Sequence, residues 1–198
     1  MMNPTLLTER LILRPPQMGD AEPIARYLND LEVAGNLARV PFPYHISDAR
    51  AWLTSQQARQ AANQTSFSIE LAGVGYVGHI GYQPSGEEAI IGYWLGKPHW
   101  GRGIMSEAAV AAVRWFFDQT DAQAIYSGVF HFNAASLAIQ HRLGFTETGR
   151  STLLCLARGA ELEHIDTKLT RERFQQDWSA GKKPASATDQ MLEGTTKP

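Results

Sequence analysis

The sequence has few of the features that mark secreted, membrane or nucleic-acid-binding proteins. Its single cysteine, Cys155, excludes an internal disulfide and is typical of a reducing compartment. The chain has no run approaching the ~18 apolar residues of a membrane span, and no long apolar segment opens it. Eighteen basic residues against 20 acidic ones give a net charge of −2, which does not favour nucleic acid or an anionic membrane as a partner. We therefore expect a cytoplasmic protein.

The composition is that of a globular protein, with 43% apolar and 19% charged residues in 198. This length suits one domain with a substantial core. The last twenty residues are rich in Gly, Lys, Pro, Ser and Thr and can bury little apolar surface. We therefore predict a domain over residues 1–178 and a polar tail over 179–198. The sequence leaves open whether the protein is a monomer or a homodimer.

The stretch from Ala89 to Phe117 predicts a strand, a glycine turn and a helix. Ala89 to Leu95 is an unbroken apolar run of the length of a strand buried on both faces. Gly101 and Gly103 follow, and from Ile104 the apolar residues recur at intervals of three and four, which is typical of an amphipathic helix. The helix should extend from Gly103 to Phe117.

A glycine turn before a helix is a potential anion site. The first amides of a helix lack intrahelical partners, and glycines let an anion approach the backbone closely. An ordinary strand-to-helix connection would use glycines in the same way. Two nucleotide motifs fit badly, because Ser106 stands where a dinucleotide fingerprint needs its third glycine and no Gly-Lys-Ser/Thr is present.

Two landmarks in this order resemble those of the GNAT acyltransferases. Trp100-Gly101-Arg102-Gly103-Ile104-Met105 resembles the signature Arg/Gln-x-x-Gly-x-Gly/Ala, with departures at Trp100 and Met105. The neighbouring Ile-Gly-Tyr-Trp-Leu-Gly and Ser106-Glu107-Ala108 look like the RimJ/RimL branch, which acetylates protein N-termini. Downstream, Asn133-Ala134-Ala135-Ser136 and Leu143-Gly144-Phe145 resemble the second landmark, Asn-x-x-Ser to Leu-Gly-Phe.

The resemblance implies an α/β fold with a mixed, mostly antiparallel sheet of about seven strands and about four helices. It also implies acetyl-coenzyme A as cosubstrate. In the family, the amides of the glycine turn bind the pyrophosphate, and the backbone of the preceding strand binds the pantetheine arm and the thioester oxygen. The implied cofactor-binding residues are Tyr93, Trp94, Leu95, Trp100, Gly101, Arg102, Gly103, Ile104, Met105, Ser106 and Asn133.

The remaining elements follow from local patterns. Two helices near the N-terminus are predicted, and in the family these helices and the loop between them wall the acceptor site. The predicted elements are an edge strand Leu6–Arg14, a helix Ala21–Leu28, a loop Val40–Tyr44, a helix capped by Ser47 and ending near Ala61, strands Thr65–Leu71, Tyr76–Tyr82 and Ala124–Phe130, a helix from Asn133 to Gly144, and a closing hairpin over 147–156 and 161–169.

Acyl transfer to an amine requires a base, an oxyanion donor and a proton for the departing thiolate. The resemblance implies Ser136 as the proton donor, although a serine in a first helical turn can instead bond the local backbone. The base is left open, because Ile90 and Cys155 stand where related sequences carry carboxylates. A lone cysteine between two leucines is expected to be a buried apolar residue rather than a nucleophile. The candidate bases are Glu70, His79, Tyr82, His164 and water.

The predicted function is therefore an N-acetyltransferase that uses direct attack in a ternary complex. The expected acceptor is a protein N-terminal amino group. A small amine, such as an antibiotic, polyamine or amino acid, is the alternative acceptor, and a coenzyme A binding module without catalysis is the alternative class. We expect no metal site, no nucleic acid and no membrane partner.

Overall fold

The computed structural model describes residues 4–61, 65–86 and 88–178. Within them, eight strands form one sheet in the order β1-β2-β3-β4-β5-β6-β8-β7, antiparallel except for the β5–β6 pair. The predicted tail, 179–198, lies outside the described residues. The strands are β1 Leu6–Leu7, β2 Leu11–Arg14, β3 Ser66–Leu71, β4 Gly75–Ser85, β5 Glu88–Leu95, β6 Ala124–Phe130, β7 Thr146–Cys155 and β8 Ala160–Thr170. The expected mixed, mostly antiparallel sheet is confirmed.

Six α-helices are found in the same part of the chain. None of them is both long and apolar enough to cross a bilayer. Sequence patterns did not predict α2 or α6, since α2 is a single turn and α6 buries only Phe174. The helices are α1 Ala21–Leu28, α2 Leu31–Ala34, α3 Ile46–Ala61, α4 Ile104–Gln119, α5 Ala134–Leu143 and α6 Arg171–Trp178.

Two predicted boundaries near the N-terminus were wrong. The expected edge strand Leu6–Arg14 is divided into β1 and β2, which pair with each other as a short hairpin. Helix α3 begins at Ile46, so Ser47 lies within its first turn and is not its N-cap. The carboxylate of Asp48 instead accepts a hydrogen bond from the His45 amide at 2.8 Å. A first-turn carboxylate therefore satisfies a backbone donor at this helix start.

The sheet separates two apolar clusters. The larger cluster lies between the sheet and α4, where Phe67, Ile80 and Ile91 pack with Ala112 and Val113. The smaller cluster lies on the opposite face under α1 and α3, and its members include Ile24, Leu28, Tyr44 and Leu53. The predicted helical period of α4 is confirmed, because its apolar residues face the larger cluster.

The sheet opens between its two central strands. Strands β5 and β6 pair only at Ala89 with Ile125 and at Ile90 with Tyr126, and then diverge. The expectation that β5 is buried on both faces was wrong, because Ile90 is 44% exposed and Gly92 is exposed as well. These two residues face away from α4. We call the surface around them the open face, and the gap between β5 and β6 the seam.

Candidate active site

The glycine turn between β5 and α4 has the backbone that its sequence requires. Gly101 and Gly103 have φ of 70° and 71°, in the left-handed region that L side chains rarely adopt. A Cβ on Gly101 would meet nothing within 4 Å, so the backbone angle and not the available space demands glycine there. The turn is therefore open to solvent or to a ligand.

The amides of this turn are free to bind an anion. The next bonded amide is that of Glu107, which donates to the Gly103 carbonyl, and no acceptor is recorded for amides 101–106 in the described part of the chain. Ile104 and Met105 bury their side chains in the core, at 1% and 5% exposure, so only their backbone can contribute to a ligand site. Free amides at a helix N-terminus favour phosphate or carboxylate groups.

Arg10 places a positive charge beside these amides. Its Nη1 donates to the Arg102 carbonyl at 3.0 Å, and its Nε pairs with the Glu107 carboxylate at 2.7 Å. The Thr8 hydroxyl donates to the same carboxylate at 2.6 Å. Burial would raise the pKa of Glu107, but the hydrogen bonds from Thr8 and Arg10 hold that pKa below its usual value. Arg10 was not predicted as a site residue, because it contacts the turn from more than ninety residues away.

Trp100 stands where the family signature has Arg or Gln. Its indole Nε1 donates to the Leu95 carbonyl at 2.7 Å, and the ring is 41% exposed. The side chain therefore fastens the turn to the end of β5 while leaving the backbone of the following glycines accessible.

The Ser136 hydroxyl meets the side chain of Tyr93 at the start of α5. Ser136 Oγ donates to the Tyr93 hydroxyl at 3.0 Å, and burial raises the pKa of Tyr93 to about 12. The side chain of Asn133 caps the helix by accepting from the Ser136 amide at 3.1 Å, as predicted. The sequence indicated only a backbone role for Tyr93, so its hydroxyl is an addition to the site. The Tyr93 hydroxyl in turn lies 3.4 Å from the Ser136 carbonyl, so the two residues are linked at the N-terminus of α5.

Three of the four side chains considered as bases are either buried or held in an ion pair. Glu70 pairs with Arg14 at 2.6 Å. Burial lowers the pKa of His79 to about 3, so this imidazole stays neutral and enclosed beneath α3. Burial also raises the pKa of Tyr82, which stacks on Phe116 in the core. These three side chains are therefore poor candidates for exchanging protons with a substrate.

His164 is the fourth candidate, and it lies on the open face. Its Nδ1 bonds Asp166 Oδ1 at 2.8 Å, and its side chain is 15% exposed. Cys155, in contrast, is fully buried, with its thiol directed at the carbonyls of Gly35 and Leu37. The expectation that Cys155 is a buried apolar residue is confirmed.

A cavity of about 280 Å³ opens on the same side of the sheet as the smaller apolar cluster. It lies between α1, α3 and the loop that precedes α3, and Trp94 of β5 forms part of its wall. Its lining is mainly aromatic and aliphatic, with one cation and one anion. The lining residues are Ile24, Leu28, Arg39, Val40, Pro41, Tyr44, Asp48, Ala51, Trp52 and Trp94.

Comparison with known families identifies the architecture. Residues 10–146 match the acetyltransferase (GNAT) domain. The chain belongs to the GNAT acetyltransferase family. It is 32% identical over 150 residues to the uncharacterized N-acetyltransferase p20 of Bacillus licheniformis. The aligned region covers 73% of this chain and 84% of that protein.

Two ribosomal-protein acetyltransferases are also similar to this GNAT protein. The uS5-alanine N-acetyltransferase of Escherichia coli is 30% identical over 92 residues, covering 46% of this chain and 45% of that protein. The structure of the ribosomal-protein-S5-alanine acetyltransferase of Vibrio fischeri superposes with a TM-score of 0.74 at 21% identity, over 87% of this chain and 99% of that one. The resemblance to RimJ/RimL-like enzymes is thereby confirmed.

As a GNAT enzyme, the protein is an N-acetyltransferase that uses acetyl-coenzyme A, which supplies the activated acetyl group. The free amides 101–106 fit its pyrophosphate, and the guanidinium of Arg10, which is paired with the Glu107 carboxylate, lies beside them. Beyond the Ile91 carbonyl, the diverging edges of β5 and β6 fit an extended arm that carries amide groups.

A buried polar chain crosses the seam and holds α5 in place. Ser127 Oγ donates to the Ile91 carbonyl at 3.0 Å, and Gln140 Nε2 donates to Ser127 Oγ at 2.9 Å. Thr167 Oγ1 then donates to Gln140 Oε1 at 2.8 Å. Strands β5, β6 and β8 are thus tied to the helix that carries Ser136, which fixes that hydroxyl relative to the seam.

Proposed function

We propose that the enzyme acetylates the α-amino group of a protein N-terminus, in the cytoplasm, by direct attack in a ternary complex. The observation that carries this proposal is the lining of the cavity beside Trp94, which is mainly apolar and holds one carboxylate, Asp48, and one guanidinium, Arg39. A polyamine or a polycationic antibiotic would need several carboxylates to replace its lost hydration. An apolar first side chain would fill such a cavity without that cost.

Exposed apolar side chains on this side of the molecule support a polypeptide acceptor. Phe42, in the loop that lines the cavity, is 41% exposed, and Ile90 on the open face is 44% exposed. Phe132, which follows β6, is 40% exposed. Exposed apolar side chains of this kind are available to contact an apolar segment of a polypeptide. The names of the Escherichia coli and Vibrio fischeri relatives agree with an N-terminal acceptor.

A panel of amines tests the proposal, with release of the coenzyme thiol as the readout. Peptides with free N-termini and a small, an aliphatic or an aromatic first residue are compared with N-terminally blocked peptides that keep a lysine, with spermidine, with an aminoglycoside and with free amino acids. We expect the free N-termini to give the highest kcat/KM. A higher value for spermidine, the aminoglycoside or a free amino acid would assign a small-molecule acceptor instead.

A matched pair of variants locates the acceptor. Ala51 lines the cavity from an exposed position on α3, and Ala58 is exposed on the same helix without lining the cavity. Ala51→Trp should lower kcat/KM most for the peptides with large first residues and leave the KM of acetyl-coenzyme A unchanged. Ala58→Trp should behave as wild type. Equal effects of the two substitutions would show that the cavity does not receive the acceptor.

A further inference from the structure

The imidazole of His164 is oriented by a carboxylate that is itself held in place. Asp166 Oδ1 accepts from His164 Nδ1 at 2.8 Å and from Ser151 Oγ at 2.9 Å. A neutral imidazole that donates from Nδ1 has its lone pair on Nε2. Among the described residues, no hydrogen-bond partner is recorded for Nε2. The ring therefore presents a free proton acceptor.

The position of this ring relates it to the seam. It covers Gly128 so closely that a Cβ there would lie 2.1 Å from His164 Cε1. The pairing of β5 and β6 ends at Ile90 and Tyr126. Gly92 lies two residues after Ile90 on β5, and Gly128 lies two residues after Tyr126 on β6. Side chains alternate along strands, so these positions share the open face. The imidazole thus borders the gap from the β6 side, opposite the exposed Gly92.

We propose that His164 is the general base of the acetyl transfer and that Asp166 is its positioning residue. The acceptor nitrogen forms a bond to the thioester carbonyl carbon, and the proton it loses passes to His164 Nε2. The C–S bond breaks, and the coenzyme thiolate takes a proton from the paired hydroxyls of Ser136 and Tyr93. Both sites then exchange protons with water after the products leave. The inference rests on the proposed function in that the acceptor is an amine.

Other charged groups lie on the elements that surround His164. From β8, the Lys168 ammonium lies 5.3 Å from the ring centre of Tyr126 on β6. Arg158, at the tip of the β7–β8 hairpin, lies over the ring of Phe132. Strand β7 contributes the uncharged Ser151.

The test is the pH dependence of kcat/KM for a peptide acceptor. Wild type should show an acid limb at lower pH, in addition to the ionisation of the acceptor amine near ~8. His164→Gln should lower kcat/KM by about 100-fold or more and remove the lower limb, with coenzyme A affinity unchanged. The matched control is His141→Gln, because His141 is an exposed histidine of α5 that also faces a carboxylate, with its Nε2 3.8 Å from Glu147 Oε1. This control should keep the wild-type profile.

Two further variants separate catalysis from structure. Asp166→Asn should lower kcat by about tenfold or more with the KM of acetyl-coenzyme A unchanged, and Ser151→Ala, which removes the other bond to the carboxylate, should lower kcat in the same way but by less. If His164→Gln folds with a wild-type profile, or Asp166→Asn folds with a wild-type kcat, the proposal is overturned. If wild type turns over no amine, the proposed function fails and the proposal fails with it.

Discussion

The left-handed backbone at Gly103 allows the anion site to be tested with a single charge. Asn and Asp are nearly isosteric, and both tolerate this conformation better than other L residues, at a cost of at most about 2 kcal/mol. A Cβ at Gly103 would lie 3.5 Å from Arg10 Nη2, which is an ordinary contact, so either side chain fits. Gly103→Asn and Gly103→Asp should therefore lower the melting temperature by similar amounts, about 2–4 °C for each kcal/mol of strain.

Their coenzyme affinities should differ. A carboxylate roughly 5 Å from a bound phosphate charge is repelled by about 1–3 kcal/mol for an effective dielectric constant between 80 and 20. Gly103→Asp should then bind coenzyme A about 5- to 150-fold more weakly than Gly103→Asn, and the difference should shrink in 1 M salt. Isothermal titration calorimetry at two salt concentrations measures both effects.

Two results would refute this reasoning. Equal affinities of the Asn and Asp variants would mean that no anion binds at these amides. Arg102 contributes its carbonyl to the bond with Arg10, and its side chain is exposed, so Arg102→Ala should be milder than Gly103→Asp. An equally large loss in Arg102→Ala would indicate that side chains rather than backbone amides hold the phosphates.

Three further outcomes are expected. Ser136→Ala and Tyr93→Phe should each lower kcat by roughly ten- to a hundred-fold with unchanged coenzyme A affinity, because the hydroxyls act as a pair; a lower melting temperature with intact kcat would indicate a structural role instead. Cys155→Ala should keep most of the turnover and lose at most about 3 kcal/mol of stability to a small cavity, and acetyl label trapped on Cys155 would contradict this. Burial alone would raise the pKa of the Asp20 carboxyl. The hydrogen bonds that it accepts from Arg14 and other donors outweigh burial and hold this pKa below the ordinary value of 3.8. Ionised Asp20 therefore stabilises the fold above pH 3.8, and this contribution is lost as the pH falls further. The free energy of unfolding by urea should thus differ between wild type and Asp20→Asn at neutral pH, and the difference should shrink in acid.

The parts of the fold that were predicted well are those with local causes. The apolar period of α4 and the Asn133 and Gly144 caps of α5 depend on residues within a few positions of one another. Helix α6 lacks such a period, because it buries only Phe174 and is held mainly by tertiary contacts. The exposure of Ile90 could not be read from its apolar run, since it results from the divergence of two strands.

The candidate site divides in the same way. The glycine turn and Ser136 carry local signatures, whereas the bond between Arg10 and Glu107 joins residues 97 positions apart and has no signature in the sequence. His164 was considered as a base without Asp166. The spacing of these two residues was a usable signal, because positions i and i+2 of a strand share a face.

The seam makes the sheet a structure of two halves. Strands β1 to β5 form one part of the sheet and β6 to β8 form the other, and among the described residues the strand pairing between them is limited to two positions. Amides at this junction should therefore exchange with deuterium sooner than those within either part, because a small local opening exposes them. A cosubstrate that forms hydrogen bonds with both β5 and β6 would link the two parts of the sheet across the seam. Protection at the junction should then rise with coenzyme concentration while protection inside each part changes little.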